Sequence, residues 1–202
     1  MYLNWSMPIY YSSKLIGSYG EKDGDYSSTH NNFDYLSLYE SQLFPTYMDK
    51  PAVYFQEKYE HLIKFDCLWL LGEQVLVSKR LKTLLERLTT STLEFVEPAI
   101  IHTKDQQILK DYYIINLLDR VSAIDSSNST PVYNDDNHFL YYSKRQFKHS
   151  TEKQLLAREI KSNEIIITHD IADDLLRANL NVCKCFGFYE VNPLTEYKTK
   201  RK

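Results

Sequence analysis

Apolar and polar positions follow a clear order from about residue 65 onward. Phe65, Cys67 and Trp69 recur at every second position, the period of a strand. Gly72, Glu73 and Gln74 mark a turn, and Val75, Leu76 and Val77 form a short β-prone run. Ser78 then stands where a helix N-cap belongs, because its hydroxyl can accept a hydrogen bond from an otherwise unpartnered helix N–H. Leu81, Leu84, Leu85 and Leu88 follow at helical spacing as one apolar stripe. Thr89 to Thr92 end the helix, and Leu93, Glu94, Phe95 and Val96 read as a further strand before Pro98.

The same order returns later in the chain, much diverged. Leu155 and Ala157 stand for Phe65 and Cys67, and Ser162, Asn163 and Glu164 replace the turn. Ile165, Ile166 and Ile167 repeat the β run, Thr168 takes the cap position, and Ile171, Leu175 and Leu176 supply the stripe. From Val75/Ile165 to Leu85/Leu175 the separation is a constant 90 residues, and it widens to 93 at Phe95/Phe188. Residues 65–97 and 155–190 are therefore read as two copies of one strand–turn–strand–helix–strand unit.

Between the copies, Tyr112 to Leu118 is strongly β-prone, although 117–124 is also compatible with a helix. Val132, Tyr133 and the run from Phe139 to Tyr142 flank an acidic turn at Asn134, Asp135, Asp136 and Asn137, the pattern of a hairpin. Upstream, residues 1–59 are polar, Tyr-rich and weakly periodic, with a loop-like stretch through Gly17, Gly20, Gly24 and 27–32. Tyr35, Leu36, Leu38, Tyr39 and Leu43 suggest one short helix ending before Pro45. The expected fold class is α+β, with mixed sheet elements and short capped helices. The expected division is a Tyr-rich segment 1–60, as an arm or small lobe, a domain over 61–191, and a basic tail over 192–202.

Composition narrows the function classes. The chain has 202 residues, 43% of them apolar, enough for a core that needs neither disulfides nor metal. Its 17 Tyr suit both strands and wet contact surfaces. A formal charge of −3 argues against a free nucleic-acid binder. Three Cys, an odd and sparse count, fit a reducing compartment. Residues 1–11 lack a charged start followed by an apolar run, and the apolar stretches are too short to span a bilayer. The expectation is a soluble cytoplasmic protein with no membrane partner.

No constellation in the sequence demands catalysis. Cys183 and Cys185 flank Lys184 as an apolar strand pair, two thiols short of the four ligands that structural zinc needs. Glu159, Ile160 and Lys161, with Asp135 upstream, match the carboxylate–lysine arrangement of metal-dependent nucleases, but no further acidic partner is placed. His102, Thr103 and Lys104 begin a phospholipase-type motif whose Asp is replaced by Leu109. Gly-rich phosphate loops and nucleophile elbows are missing as well. No catalytic residue, metal ligand or cofactor is expected.

Three stretches together resemble a bacterial immunity family of polymorphic toxin systems, typified by a myxobacterial immunity protein and formerly known only as a domain of unknown function. They are Tyr112, Tyr113, Ile114, Ile115, Asn116; then Val121, Ser122, Ala123, Ile124, Asp125, Ser126; then Glu164 through Thr168 with Phe188, Tyr189, Glu190, Val191. Val75 to Lys79 with Leu84 and Leu85 fit the upstream unit, and Thr168 stands where Ser is usual. The resemblance covers about 65–191. It implies a non-enzymatic protein that binds a cognate toxin or effector domain and occludes its active site, in interbacterial competition of the type VI secretion kind. If that toxin is a nuclease, its basic groove would be met by acidic loops. Tyr133, Asp135 and Asp136 are the first candidates for that contact, and Asp170, Asp173 and Asp174 the second. The alternatives are a diverged metal-dependent nuclease or hydrolase, and an effector-loading adaptor or chaperone.

Overall fold

The computed structural model describes residues 1–19, 33–150, 152–178, 180, 186–190 and 195–196. The first half of the chain supplies β1 (Tyr2–Ser6), β2 (Ile16–Tyr19), β3 (Ala52–Tyr54), the one-turn α1 (Tyr59–Leu62), β4 (Cys67–Leu70), β5 (Gln74–Ser78), α2 (Lys79–Leu88), β6 (Leu93–Val96) and β7 (Ile100–His102). The second half supplies β8 (Tyr112–Leu117), β9 (Arg120–Val121), β10 (Thr130–Tyr133), β11 (Phe139–Lys144), β12 (Leu156–Glu159), β13 (Ile165–Thr168), α3 (His169–Arg177), β14 (Gly187–Glu190) and β15 (Thr195–Glu196). The fold is α+β, as the patterning predicts. Among the described residues a seven-stranded sheet runs β6-β8-β5-β4-β2-β3-β7, a six-stranded sheet runs β15-β14-β1-β13-β12-β9, and β10 pairs only with β11.

Each expected capped hairpin forms. In the first, Cys67 lies opposite Val77 and Leu70 opposite Gln74, with Gly72 (φ 79) and Glu73 (φ 56) turning the chain through the left-handed region. In the second, Leu156 lies opposite Ile167. Leu156, and not Ala157, is therefore the counterpart of Cys67. The sequence alignment slips by one because the second hairpin loop is one residue longer, with Asn163 (φ 57) taking the left-handed position. The helices bury the expected stripes: Leu81 and Leu85 in α2, and Ile171, Ala172 and Leu175 in α3.

The caps differ. Ser78 accepts the Leu81 N–H at 3.2 Å and donates to Asp66 at 2.5 Å. Thr168 has the extended cap backbone but makes no side-chain cap bond. Its hydroxyl instead accepts the Leu155 N–H at 3.1 Å, securing the incoming strand, and meets the Asp170 carboxylate in the first turn of the helix.

The correspondence between the halves extends beyond the hairpins. The strand order β2-β4-β5-β8-β6 in one sheet is matched by β9-β12-β13-β1-β14 in the other, with the same parallel and antiparallel senses. Registers agree too. Ser78 opposes Tyr112 as Thr168 opposes Tyr2, and Phe95 opposes Ile115 as Phe188 opposes Trp5. The outer strands behave alike: Ile16 and Gly17 pair with Trp69 and Leu70, and Arg120 and Val121 with Arg158 and Glu159. Each half therefore lends its first strand to the other half's sheet, β1 inward of β14 and β8 inward of β6.

That exchange puts the start of the N-terminal segment, expected as an arm or small lobe, inside a sheet. Tyr2–Ser6 is an interior strand, with Leu3 and Trp5 fully buried in a core shared by both sheets. Trp5 meets Phe186 and Phe188 edge-on at 5.7 and 5.9 Å. The short helix over Tyr35–Tyr39 is 3-10, begun by Asp34 accepting the Leu36 N–H. It is tied down by the buried Asn116, which donates to the Gln42 carbonyl at 2.7 Å and to Glu94 at 2.8 Å. Residues 117–124 are not helical; they hold β9 and a bridge from Ile124 to Phe147. Gly20, Gly24, Cys183, Cys185 and the basic residues from 198 on lie outside the described residues.

Candidate functional site

The two halves differ most in what is inserted between their outer strand and their hairpin. In the first, residues 20–66 supply β3, the 3-10 turn and α1. In the second, the same place in the chain order holds β10 and β11. This hairpin forms a two-stranded sheet of its own, anchored at its base by the Gln146 carbonyl accepting from Asp125 and by the Gln146 N–H on the Ser129 hydroxyl. An isolated two-stranded ribbon is marginal in water, and among the described residues no further strand pairs with either outer edge.

Its surface is aromatic. Tyr133 is 48% exposed, Leu140 55% and Tyr141 57%, while Phe139 bridges Tyr133 and Tyr142 with ring centroids at 6.2 and 4.9 Å. The tip is built by Asn134, whose side-chain oxygen accepts the N–H groups of Asp136 and His138 at 3.1 and 2.8 Å. Asn137 (φ 63) completes the turn. Asp135 and Asp136 are exposed on this tip, so the structure brings Tyr133, Asp135 and Asp136 together as the spacing predicts.

The second set of candidates is engaged within α3. Asp170 accepts the Gln154 N–H at 2.9 Å, pinning the strand entry to the helix start. Burial acts to raise its pKa, but the Thr168 hydroxyl and the N–H groups of Gln154, Asp170 and Ile171 outweigh burial and hold the carboxyl below the usual range. Asp173 and Asp174 both lie against Arg177, at 3.4 and 3.1 Å. Glu159, from the nuclease-like triplet, is buried with its carboxylate on the N–H groups of Lys161 and Ser162 at 2.5 and 2.9 Å. It closes its own hairpin loop. Among the described residues no cluster of His, Cys, Asp and Glu is arranged to hold a metal ion.

Sequence reasoning missed one charged group altogether. Arg158, on the interior strand β12, is 1% exposed. Its Nη1 donates to the Asn163 carbonyl at 2.7 Å and its Nη2 to Gln74 Oε1 at 3.0 Å, and its guanidinium lies over the Tyr39 ring at 4.7 Å. Burial pushes its pKa down to about 10, which leaves it a cation at neutral pH. A cleft of about 280 Å³ adjoins it, with Trp5, Trp69, Glu73, Arg145 and Asn163 among its walls. The available signal was Arg158 standing in an otherwise apolar strand where the first copy carries Trp69.

The family described as "Immunity protein family (Imm11)" matches residues 19–164 of this chain, more than half its length. The match starts well upstream of residue 65, where the sequence resemblance begins, and takes in β10 and β11 but not α3. No curated protein matches the chain.

Proposed function

The chain belongs to the Imm11 immunity protein family, and from that premise we propose that it neutralises a cognate secreted bacterial toxin domain by binding it and occluding its active site. Its place of action is the cytoplasm of the cell that must survive the toxin, and it acts as a stoichiometric binder without catalysis. The contact surface is the β10–β11 hairpin. Supporting this reading, the hairpin presents Tyr133, Leu140 and Tyr141 to solvent beside two carboxylates, on a ribbon that no other sheet covers. Rigid aromatic anchors supply contact area at low entropic cost, and acidic neighbours favour a toxin whose substrate groove is basic. The acids of α3 are a lesser candidate, because Asp170 is committed to a turn and Asp173 and Asp174 to Arg177.

The test is co-expression with the cognate toxin domain, sought among the products of neighbouring genes. Cells carrying both are expected to survive, and cells carrying the toxin with a Tyr133→Ala, Tyr141→Ala double variant to die. Equal killing with and without the wild-type chain overturns the immunity reading. Full protection by the double variant and by Asp135→Lys, Asp136→Lys overturns only the placement of the surface.

A further inference from the structure

Arg158 is a full charge in the interior, with the Glu73 carboxylate close enough to act on it through its field but not bonded to it. Among the described residues it forms no ion pair, and its Nε–H makes no hydrogen bond. Of the two acids on the cleft wall, Glu73 makes no ion pair with Arg158, and Glu164 is already held by Arg145, by the Asn4 side-chain amide at 2.9 Å and by the Ser162 hydroxyl at 2.9 Å. Trp5, which lines the same cleft from β1, two strands away in the same sheet, also leaves its indole N–H without a partner. A buried cation and two orphaned donors are each costly unless something satisfies them.

The second half of the molecule makes the situation worse where the first half avoids it. Arg158 lies opposite Arg120 in the β9–β12 ladder, and like charges so placed repel. The equivalent ladder in the first half pairs Trp69 with Ile16. The fold therefore accepts an apolar pair at this place and does not require two arginines. Both guanidinium groups converge on Asn163, Arg120 on its side-chain oxygen at 2.6 Å and Arg158 on its carbonyl at 2.7 Å. Asn163 also lines a second cleft, of about 470 Å³, beside Arg120 and Tyr39.

We propose that the cleft between Trp5 and Arg158 binds a small oxyanion, a carboxylate or a phosphate, with the Arg158 guanidinium as its counter-charge and the Trp5 indole N–H as a second donor. The two N–H groups are sheltered from solvent, so binding draws them onto the ligand by a side-chain adjustment within the cleft. Guanidinium suits this role because its planar fork matches two oxygens at once. The volume of about 280 Å³ admits a ligand of metabolite size. This site does not depend on the toxin-binding reading, and either can fail alone.

The experiment uses the full chain. Thermal unfolding is followed with sodium acetate, succinate or inorganic phosphate against sodium chloride at matched ionic strength. In parallel, the indole N–H signals of Trp5 and Trp69, the two tryptophans of the chain, are followed by NMR. One of the three anions is expected to raise the midpoint by roughly 5–10 °C at about 100-fold excess over its Kd. It is also expected to shift the Trp5 signal, and Arg158→Met to abolish both effects. Preference for the carboxylates or for phosphate identifies the ligand class. If no anion exceeds chloride, or if Arg158→Met responds as the wild type does, the proposal falls. Should Arg158→Met not fold, Arg158→Lys decides: affinity at least tenfold weaker supports the site, and unchanged affinity overturns it.

Discussion

Arg158 and Trp69 occupy equivalent places in the two halves of the molecule, each on the first strand of its hairpin and each in register with an outer parallel strand. One is a ring that fills the core, the other a charge that the core tolerates. Truncating them should therefore have different characters. Trp69→Ala is expected to cost about 3–5 kcal/mol through the cavity it leaves. Arg158→Met leaves no large cavity but takes the donor away from Gln74 Oε1 and the Asn163 carbonyl, so it is expected to cost about 1–3 kcal/mol, less than Trp69→Ala. Urea unfolding of the two variants measures the contrast.

Because β1 lies between β13 and β14, the first residues of the chain hold the second half together. Trp5→Ala is expected to destabilise by about 3–5 kcal/mol. Amide exchange should quicken first in β13 and β14, although both are more than 150 residues away in sequence. Exchange confined to residues 1–19 would contradict the strand exchange.

Ser78 and Thr168 share a position but not a task. Ser78→Ala should cost about 1–2 kcal/mol and expose the first-turn amides of α2 to exchange, Leu81 above all. Thr168→Val should chiefly expose the Leu155 amide and affect the first turn of α3 only through Asp170.

Asp170 makes part of the stability depend on pH. Its folded pKa lies below its unfolded value, so the contribution is present above the unfolded pKa and is lost as pH falls through the folded one. Below about pH 4, the ordinary Asp range, stability is expected to decline. Asp170→Asn should be less stable at pH 7 and should show a shallower decline, measured as midpoint against pH.

Tyr133→Ala, Tyr141→Ala and the charge reversals at Asp135 and Asp136 lie on exposed positions. Their effect on unfolding free energy is expected to stay within about 1 kcal/mol. Binding to the toxin should fall by at least tenfold, with the charge reversals losing more at low salt than at high. Calorimetric titration at two salt concentrations reads both effects.

Local pattern was enough for the hairpins, helices and acidic turn, because their periods and turn residues act over a few positions. Leu81 and Leu85 are buried as their spacing demands, and the Asn134–Asn137 turn carries Asp135 and Asp136 outward as expected. The one-residue slip at Leu156 arose because loop length is weakly encoded: Gly72 announced the first turn, while Asn163 adopted the same left-handed backbone without a glycine. Arg158 escaped notice because a charged residue in a short apolar run is read as surface, and only its partners reveal that it is inside.

The α+β class, the two hairpin–helix units and the chemistry displayed on the second insertion were legible along the chain, since each follows from side-chain size, charge and short-range geometry. Tertiary structure alone decided that β1 completes the second sheet and β8 the first, because a strand's neighbours are chosen by which edge is free and which face must be covered. It also brought Arg158 and Trp5, more than 150 positions apart in the chain, to the wall of one cleft, which no local pattern could supply.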